Sequence, residues 1–357
     1  MKQYREIYRA EQLPVFQNRM FHSELEAKNC AKGDVVLVRD QETGLTFNRA
    51  FQPELMQYDA DYQNEQALSA VFQRHLRNVS EVILKHFQEF SLIEVGCGKG
   101  YFLERLQTMG FKITGVDPAY EGSNPSVLRE NFSPEIGLRA DGIVLRHVLE
   151  HVQDPVGFLS SVRDANGGGG KIYIEVPCFD WICGHRAWFD IFYEHVNYFR
   201  LSDFHRMFGV VYEAGHTFGG QYLYAVADLS TIRTPECNEE DWIDLPEGFL
   251  DSVGAYAAEL GTGQNQSAIW GGASKGVLFA LFMQRGGAKV DMVVDINPAK
   301  QGKFLAATGL QVQPPGEAAS RLPSGANVFV MNGNYLNEVR ELTAYRFNYR
   351  LVENERI

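Results

Sequence analysis

Between residues 91 and 177 the chain repeats one pattern: a short apolar run suited to a buried strand, then a segment with helical spacing, then another strand. SLIEVG (91–96) precedes the helical YFLERLQTMG (101–110), and KITGVD (112–117) and GIVLRHV (142–148) follow as further strands. A helix beginning near Asp154 leads to the strand KIYIEVP (171–177). Such alternation predicts a doubly wound α/β fold, because a crossover helix must return the chain to run parallel and cover one face of the sheet. Upstream, Leu68, Val71, Phe72, Leu76, Val79, Ile83 and Phe87 recur at helical spacing and predict an amphipathic helix. Downstream, LSDFHRMF reads as a helix capped by Ser202, and residues 210–229 as two strands around Gly219 and Gly220, an antiparallel edge.

A chain of 357 residues is too long for one ordinary core. Residues 1–65 hold short strand-like pieces and are expected to form a small N-terminal domain; residues 66–235 carry the alternation above. Residues 236–263 read as a linker and helix, within a polar, acidic, proline-punctuated passage that begins near residue 231. Residues 264–357 alternate again (SAIWGGASKG, VDMVVD, NVFVMNGN, YRLVE), which predicts a second, smaller Rossmann-like domain. The formal net charge of −12 argues against nucleic acid as a partner. No stretch approaches 18 apolar residues and the N-terminus lacks an apolar segment, so neither a membrane span nor a secretory signal is expected. Five cysteines without a CxxC spacing suit reduced thiols and a cytoplasmic location.

The turn Gly96-Cys97-Gly98-Lys99-Gly100 lies between a strand and a helix, where glycine lets backbone approach a ligand closely. Asp117 ends the next strand, 17 residues past Gly100, placed to accept hydrogen bonds from a ribose diol. The spacing is GxGxG; the dinucleotide fingerprint needs a later glycine, and Tyr101 stands there instead. That crowds a pyrophosphate, disfavours a nicotinamide dehydrogenase, and suits a cofactor without phosphate. Alone, the turn fits any mononucleotide fold.

Together with LRHVLEHVQDP (145–155), the segment EVGCGKG resembles the motifs of class I S-adenosylmethionine (SAM) methyltransferases. The resemblance implies SAM as cofactor, Glu94 as the acidic first residue of the turn, Asp117 on the ribose, Gly98 facing the methionine part, and His147 lining the pocket. Phe132 is a candidate neighbour of the adenine, and His151 is read as a capping or packing residue. Residues 54–69 (ELMQYDADYQNEQALS), DIFYEH (190–195) and IWGGASKG, VVDINPAKQGKF and VMNGNYLNEV resemble the sugar C-methyltransferase family over nearly the whole chain. That resemblance implies a nucleotide-linked keto-sugar or related small metabolite as acceptor. Two features depart from the family. Cys30 stands alone where relatives pair cysteines around a structural zinc, so no metal is expected, and Phe192 replaces a tyrosine.

FDIFYEHVNYF (189–199) sets Glu194 and His195 among aromatics, where a carboxylate is costly to bury unpaired. Methylating a carbon beside a ketone needs a base, and imidazole titrates near neutrality. Carried over by position, His195 is the candidate base and Glu194 the residue that binds or orients substrate. Tyr58 and Tyr62 are expected to approach from the N-terminal domain, with Tyr193 and Tyr198 as further contacts and Lys275 as a point charge for a phosphate. Competing readings are packing for the Glu–His pair, an O- or N-methyltransferase, and a non-catalytic SAM- or nucleotide-binding module.

Overall fold

The structure, a computed structural model, describes residues 3–56, 62, 65–261 and 266–352. The first strands are β1 (Tyr4–Pro14), β2 (Lys32–Asp40) and β3 (Thr46–Asn48). The middle of the chain holds β4 (Ser91–Val95), β5 (Lys112–Val116), β6 (Val127–Leu128), β7 (Gly142–Arg146), β8 (Lys171–Pro177), β9 (Asn197–Tyr198), β10 (Val211–Thr217) and β11 (Tyr222–Asp228). The last are β12 (Ser267–Trp270), β13 (Met292–Val294), β14 (Val312–Gln313), β15 (Asn327–Val330) and β16 (Asn348–Leu351).

Seven strands form the largest sheet, in the order β10-β11-β8-β7-β4-β5-β6. Pairing among β4 to β8 is parallel, and β11 and β10 add an antiparallel edge. The inner strands β4, β7 and β8 are buried along most of their length. Their near-continuous apolar character is what a sheet covered by helices on both faces requires. The chain winds outward from β4 to β6 and then restarts at β7 on the other side of β4. The ends of β4 and β7 therefore open a crevice, the usual ligand position in such sheets. A five-stranded all-parallel sheet, β14-β13-β12-β15-β16, repeats this switch between β12 and β15.

The helix Ala70–Phe87 turns Phe72, Leu76, Val79, Ile83 and Phe87 to the core. Leu68, expected on the same face, is exposed and precedes the helix, because the Ser69 side chain accepts from the Val71 and Phe72 N–H groups and sets the start there. Ser202 is likewise not a cap. The helix Leu201–Met207 begins after Arg200, whose N–H is accepted by the Asp203 carboxylate reaching back.

The N-terminal sheet, β1-β2-β3-β9, is antiparallel, and its fourth strand comes from the middle of the chain. Asn197 and Tyr198 pair with Phe47 and Thr46. The residues directly after His195 thus belong to the N-terminal sheet. Just before them, Trp188 stacks on Phe279 (centroids 6.0 Å, 16°) and meets Phe282, both on the helix Ser274–Arg285. One short aromatic segment joins all three sheets.

All five cysteines are free, and Cys30 is half-buried. Among the described residues the N-terminal sheet shows no group of three metal-ligating side chains. Metal analysis of the purified protein is expected to find no zinc there; a stoichiometric zinc lost on Cys30→Ser would overturn this.

Candidate functional site

The glycine turn after β4 is held from behind. The Gly98 N–H donates to Asp117 Oδ2 (2.7 Å), and Asp117 Oδ1 accepts from the Ala119 N–H (2.8 Å). Gly96 has φ 71°, and a Cβ there would meet Val148 Cγ2 at 2.4 Å. Gly98 has φ 53° with no atom within 4 Å of a built Cβ, so its open side belongs to the cavity it lines. Glycine is needed at Gly96 for packing and at Gly98 for approach by a ligand. Glu94 lies buried beneath the turn, and its Oε2 has no hydrogen-bond partner. Burial lifts its carboxyl to about 8, although the Arg146 guanidinium opposes this.

The floor of the crevice is a buried charge network. Glu175 on β8 accepts at Oε1 from Arg146 (3.0 Å), His75 (3.1 Å) and His147 (3.0 Å), and at Oε2 from the Tyr173 hydroxyl (2.8 Å). Burial alone would raise this carboxyl; Arg146 and the histidines outweigh it and hold the group well below the usual carboxylate range. His147 has φ 52° and bridges to Glu150 through Nδ1 (3.3 Å). Burial would lower its pKa, but the hydrogen bonds to Glu150 and Glu175 prevail and lift it to about 9. His147 is therefore an imidazolium at neutral pH.

The Glu194–His195 pair divides its work. The Glu194 carboxylate accepts from the Gln17 N–H (2.6 Å), the Asn18 N–H (3.4 Å) and the Tyr62 hydroxyl (2.6 Å). It clasps the N-terminal segment to the cavity wall. Its carboxyl is nevertheless raised by burial, against the lowering effect of His151 and these hydrogen bonds. His195 turns to the cavity with its ring 4.0 Å from that of Phe192 and 5.0 Å from that of His151. Burial, and then the nearby His151, His147 and Lys275, hold its pKa well below the ordinary imidazole range. His195 is a neutral imidazole. His151 Nδ1 lies 2.8 Å from the Glu194 carbonyl oxygen, which only accepts, so Nδ1 carries a proton.

The opposite wall comes from the C-terminal sheet. Here the hydrogen bonds of the first turn recur: the Gly272 N–H donates to Asp295 Oδ2 (2.9 Å), and Asp295 Oδ1 accepts from the Asn297 N–H (2.8 Å). Trp270, Gly271, Asp295 and Asn297 line the same cavity as Gly98 and His195, a space of about 400 Å³.

Of the expected site residues, Glu94, Gly96, Gly98, His147, Tyr62, Glu194, His195 and Lys275 line this cavity. Asp117 stands directly behind it, while Gly100 caps the helix Tyr101–Thr108 against the Tyr120 ring. Tyr58 lies outside the described residues. Phe132 is not on the wall; it packs on the neighbouring core. Tyr193 also faces away, its hydroxyl accepting from the Gln52 N–H (2.8 Å) and its ring lying over Gly33. Tyr198 is spent on a backbone clamp, its hydroxyl 3.1 Å from both Phe192 N and Phe192 O. Lys275 reaches the cavity, but its ammonium is paired with Asp190 (3.1 Å) and Gln221 (3.2 Å) and sits over Trp181 (4.7 Å). It braces the C-terminal helix against the aromatic segment, with its charge shared among these partners on the cavity wall. Sequence reasoning missed Glu150, His151 as a cavity residue, Tyr222 and Asp295. Asp295 had a signal: VVDINPA echoes GVDPA around Asp117.

Residues 59–210 match the family model described as Methyltransferase domain. Over 288 residues the chain is 23% identical to the C-methyltransferase NovU of Streptomyces niveus, covering 70% of this chain and 67% of that protein. It is 26% identical over 116 residues to a tRNA U34 carboxymethyltransferase of Campylobacter hominis, and 27% over 98 residues to a ubiquinone biosynthesis O-methyltransferase of Pseudoalteromonas translucida. Those two matches cover 28% and 23% of this chain, and 41% and 42% of the relatives' length. Among solved structures, the plantazolicin methyltransferase BpumL in complex with SAH is 16% identical with a TM-score of 0.36, covering 48% of this chain and 87% of that one. The fold and turn define a class I methyltransferase domain. Residues 59–210 carry such a domain, which implies SAM as the methyl donor.

The residues present fit that donor. The unpartnered Glu94 oxygen can accept from its ammonium, and Asp117 keeps lone pairs for a diol. Asp117→Ala should lose a charge-assisted hydrogen bond, about 1.5–3 kcal/mol, and weaken SAM binding roughly tenfold or more in a calorimetric titration. Unchanged affinity would remove Asp117 from the site.

Proposed function

We propose that this chain methylates a carbon beside a ketone in a small, nucleotide-linked sugar or related metabolite. The observation that carries the reading is His195, a buried, neutral imidazole on the wall of the cavity that also holds the glycine turn. A C–H beside a ketone is a weak acid, and its removal needs a base free of its own proton. Two further observations support the acceptor class. A relative matched over 70% of the chain is named a C-methyltransferase. The cavity also holds a second glycine–aspartate turn at Asp295, suited to a nucleotide carrier.

The donor supplies an electrophilic methyl group. The chain's own residues do the rest. His195 takes the proton from the acceptor carbon, leaving an enolate whose carbon is the nucleophile. The neighbouring His151 ring, 5.0 Å from that of His195 and held at Nδ1 by the Glu194 carbonyl, offers a route for the proton to leave. Phe192 and Tyr222 give the site aromatic walls, and the Glu194 clasp holds the N-terminal segment over it.

A screen of nucleotide-sugars with SAM, read by mass, should yield a product heavier by one methylene. On that acceptor His195→Gln should lower turnover by about 10²–10⁴-fold with SAM affinity nearly unchanged. The base must be neutral, so wild-type turnover falls as pH drops through the pKa of His195. That limb lies below the ordinary imidazole value of about 6.5, and the Gln variant lacks it. A packing histidine predicts the reverse, with lost thermal stability and activity per folded molecule kept. Turnover within about threefold of wild type would rule out the base role.

A further inference from the structure

Glu150 is a buried glutamate at the bottom of the acceptor side, and half of its carboxylate is idle. Oε1 is held by His147 Nδ1 at 3.3 Å, whereas Oε2 is buried without a hydrogen-bond partner. One side-chain ligand atom from each of Glu150, His151 and His195 lies within 4.8 Å of the other two. A desolvated carboxylate oxygen without a donor is costly to keep, so a resting structure that retains one calls for a partner that arrives later. The proton taken up by the histidine pair creates that partner.

Resting on the base reading above, we infer that Glu150 is a positioning residue: its free oxygen is the counter-charge for the imidazolium that forms on His195 and passes its proton to His151. The charges around the pair make the need plain. His195 faces His151, the imidazolium of His147, and the Lys275 ammonium from the C-terminal helix, with Phe192 against its ring. The carboxylates nearby are engaged elsewhere: Glu194 by Gln17, Asn18 and Tyr62, Asp190 by Lys275, and Glu175 by four donors. Adding a proton to the buried His195 without Glu150 places another positive charge among cations. With Glu150 the developing charge meets a preorganised anion, an interaction stronger in the transition state than at rest. In the step itself the acceptor C–H bond breaks, its electron pair stays on the acceptor as the enolate, and the proton goes to a ring nitrogen of His195. No oxidant or metal is needed.

The test needs no acceptor. With S-adenosylhomocysteine bound, proton uptake by His195 and His151 is followed by NMR of the ring protons from pH 8 to pH 5, assigned with His195→Gln and His151→Gln. Glu150→Gln should shift the midpoint of the pair's proton uptake down from the wild-type midpoint by about one unit or more, or out of the range. Glu150→Asp, which keeps the charge, should restore most of the shift. Melting curves on the same samples confirm that the variants are folded. A midpoint that is the same in Glu150→Gln and wild type overturns the inference. So does zinc or manganese retained stoichiometrically through dialysis and lost in Glu150→Gln, which would make the cluster a metal site. The base reading fails separately, if His195→Gln keeps its turnover on the acceptor found by the mass screen.

Discussion

Glu175 is fully buried, yet four donors converge on it: Arg146, His75, His147 and the Tyr173 hydroxyl. The cost of placing a carboxylate in a sheet interior is met only because every one of these groups is in place. They come from the helix Ala70–Phe87, from β7 and the residue after it, and from β8 itself. Removing one partner would leave a buried charge partly bare, a loss of about 3–5 kcal/mol for such arrangements. The crevice between β4 and β7 inherits its floor from this network. His147, in left-handed backbone conformation, is pinned there through its ring and its N–H, which donates to the Glu175 carbonyl (2.9 Å).

From that floor, charge alternates toward the acceptor side: Glu175, protonated His147, Glu150, and then the histidine pair. Such a series in a low-dielectric interior sets each member's protonation by its neighbours. The segment after Trp188 completes the site from above. It packs aromatic rings against the C-terminal helix, gives β9 to the N-terminal sheet, and between these two anchors turns His195 inward. An imidazole held at both ends of its segment has little freedom to swing. That is the condition a base needs to meet one carbon in one orientation.

The two parallel sheets carry the same small device. Gly98 and Gly272 each donate an N–H to the aspartate ending the next strand, and each aspartate also accepts from the N–H two residues on. The device keeps the strand-to-helix turn tight and leaves a carboxylate beside the crevice. Lys300, which also reaches Asp295 (3.3 Å), distinguishes the second turn from the first. Both crevices open on one cavity, so the two glycine–aspartate turns line a shared interior.

The sequence by itself determined the alternating strands and helices, the two glycine turns, Asp117 behind the first, and His195 as the residue worth testing. These are local facts. A glycine at positive φ, an apolar run of five residues or a helical stripe constrains the chain wherever it sits. Tertiary structure decided which polar groups meet. Tyr193 and Tyr198 are as aromatic and as near His195 as Phe192, yet their hydroxyls are consumed by Gln52 N and by Phe192 N and O. Lys275 carries its charge to the cavity only to share it with Asp190, 85 residues earlier in the chain. Glu150 and His151 gain their place because β9 folds away to the N-terminal sheet and brings the Glu194 carbonyl and the His195 ring over them. Hydrogen bonds act over about 3 Å and between groups far apart in the chain, so no spacing along it encodes which donors are already spent.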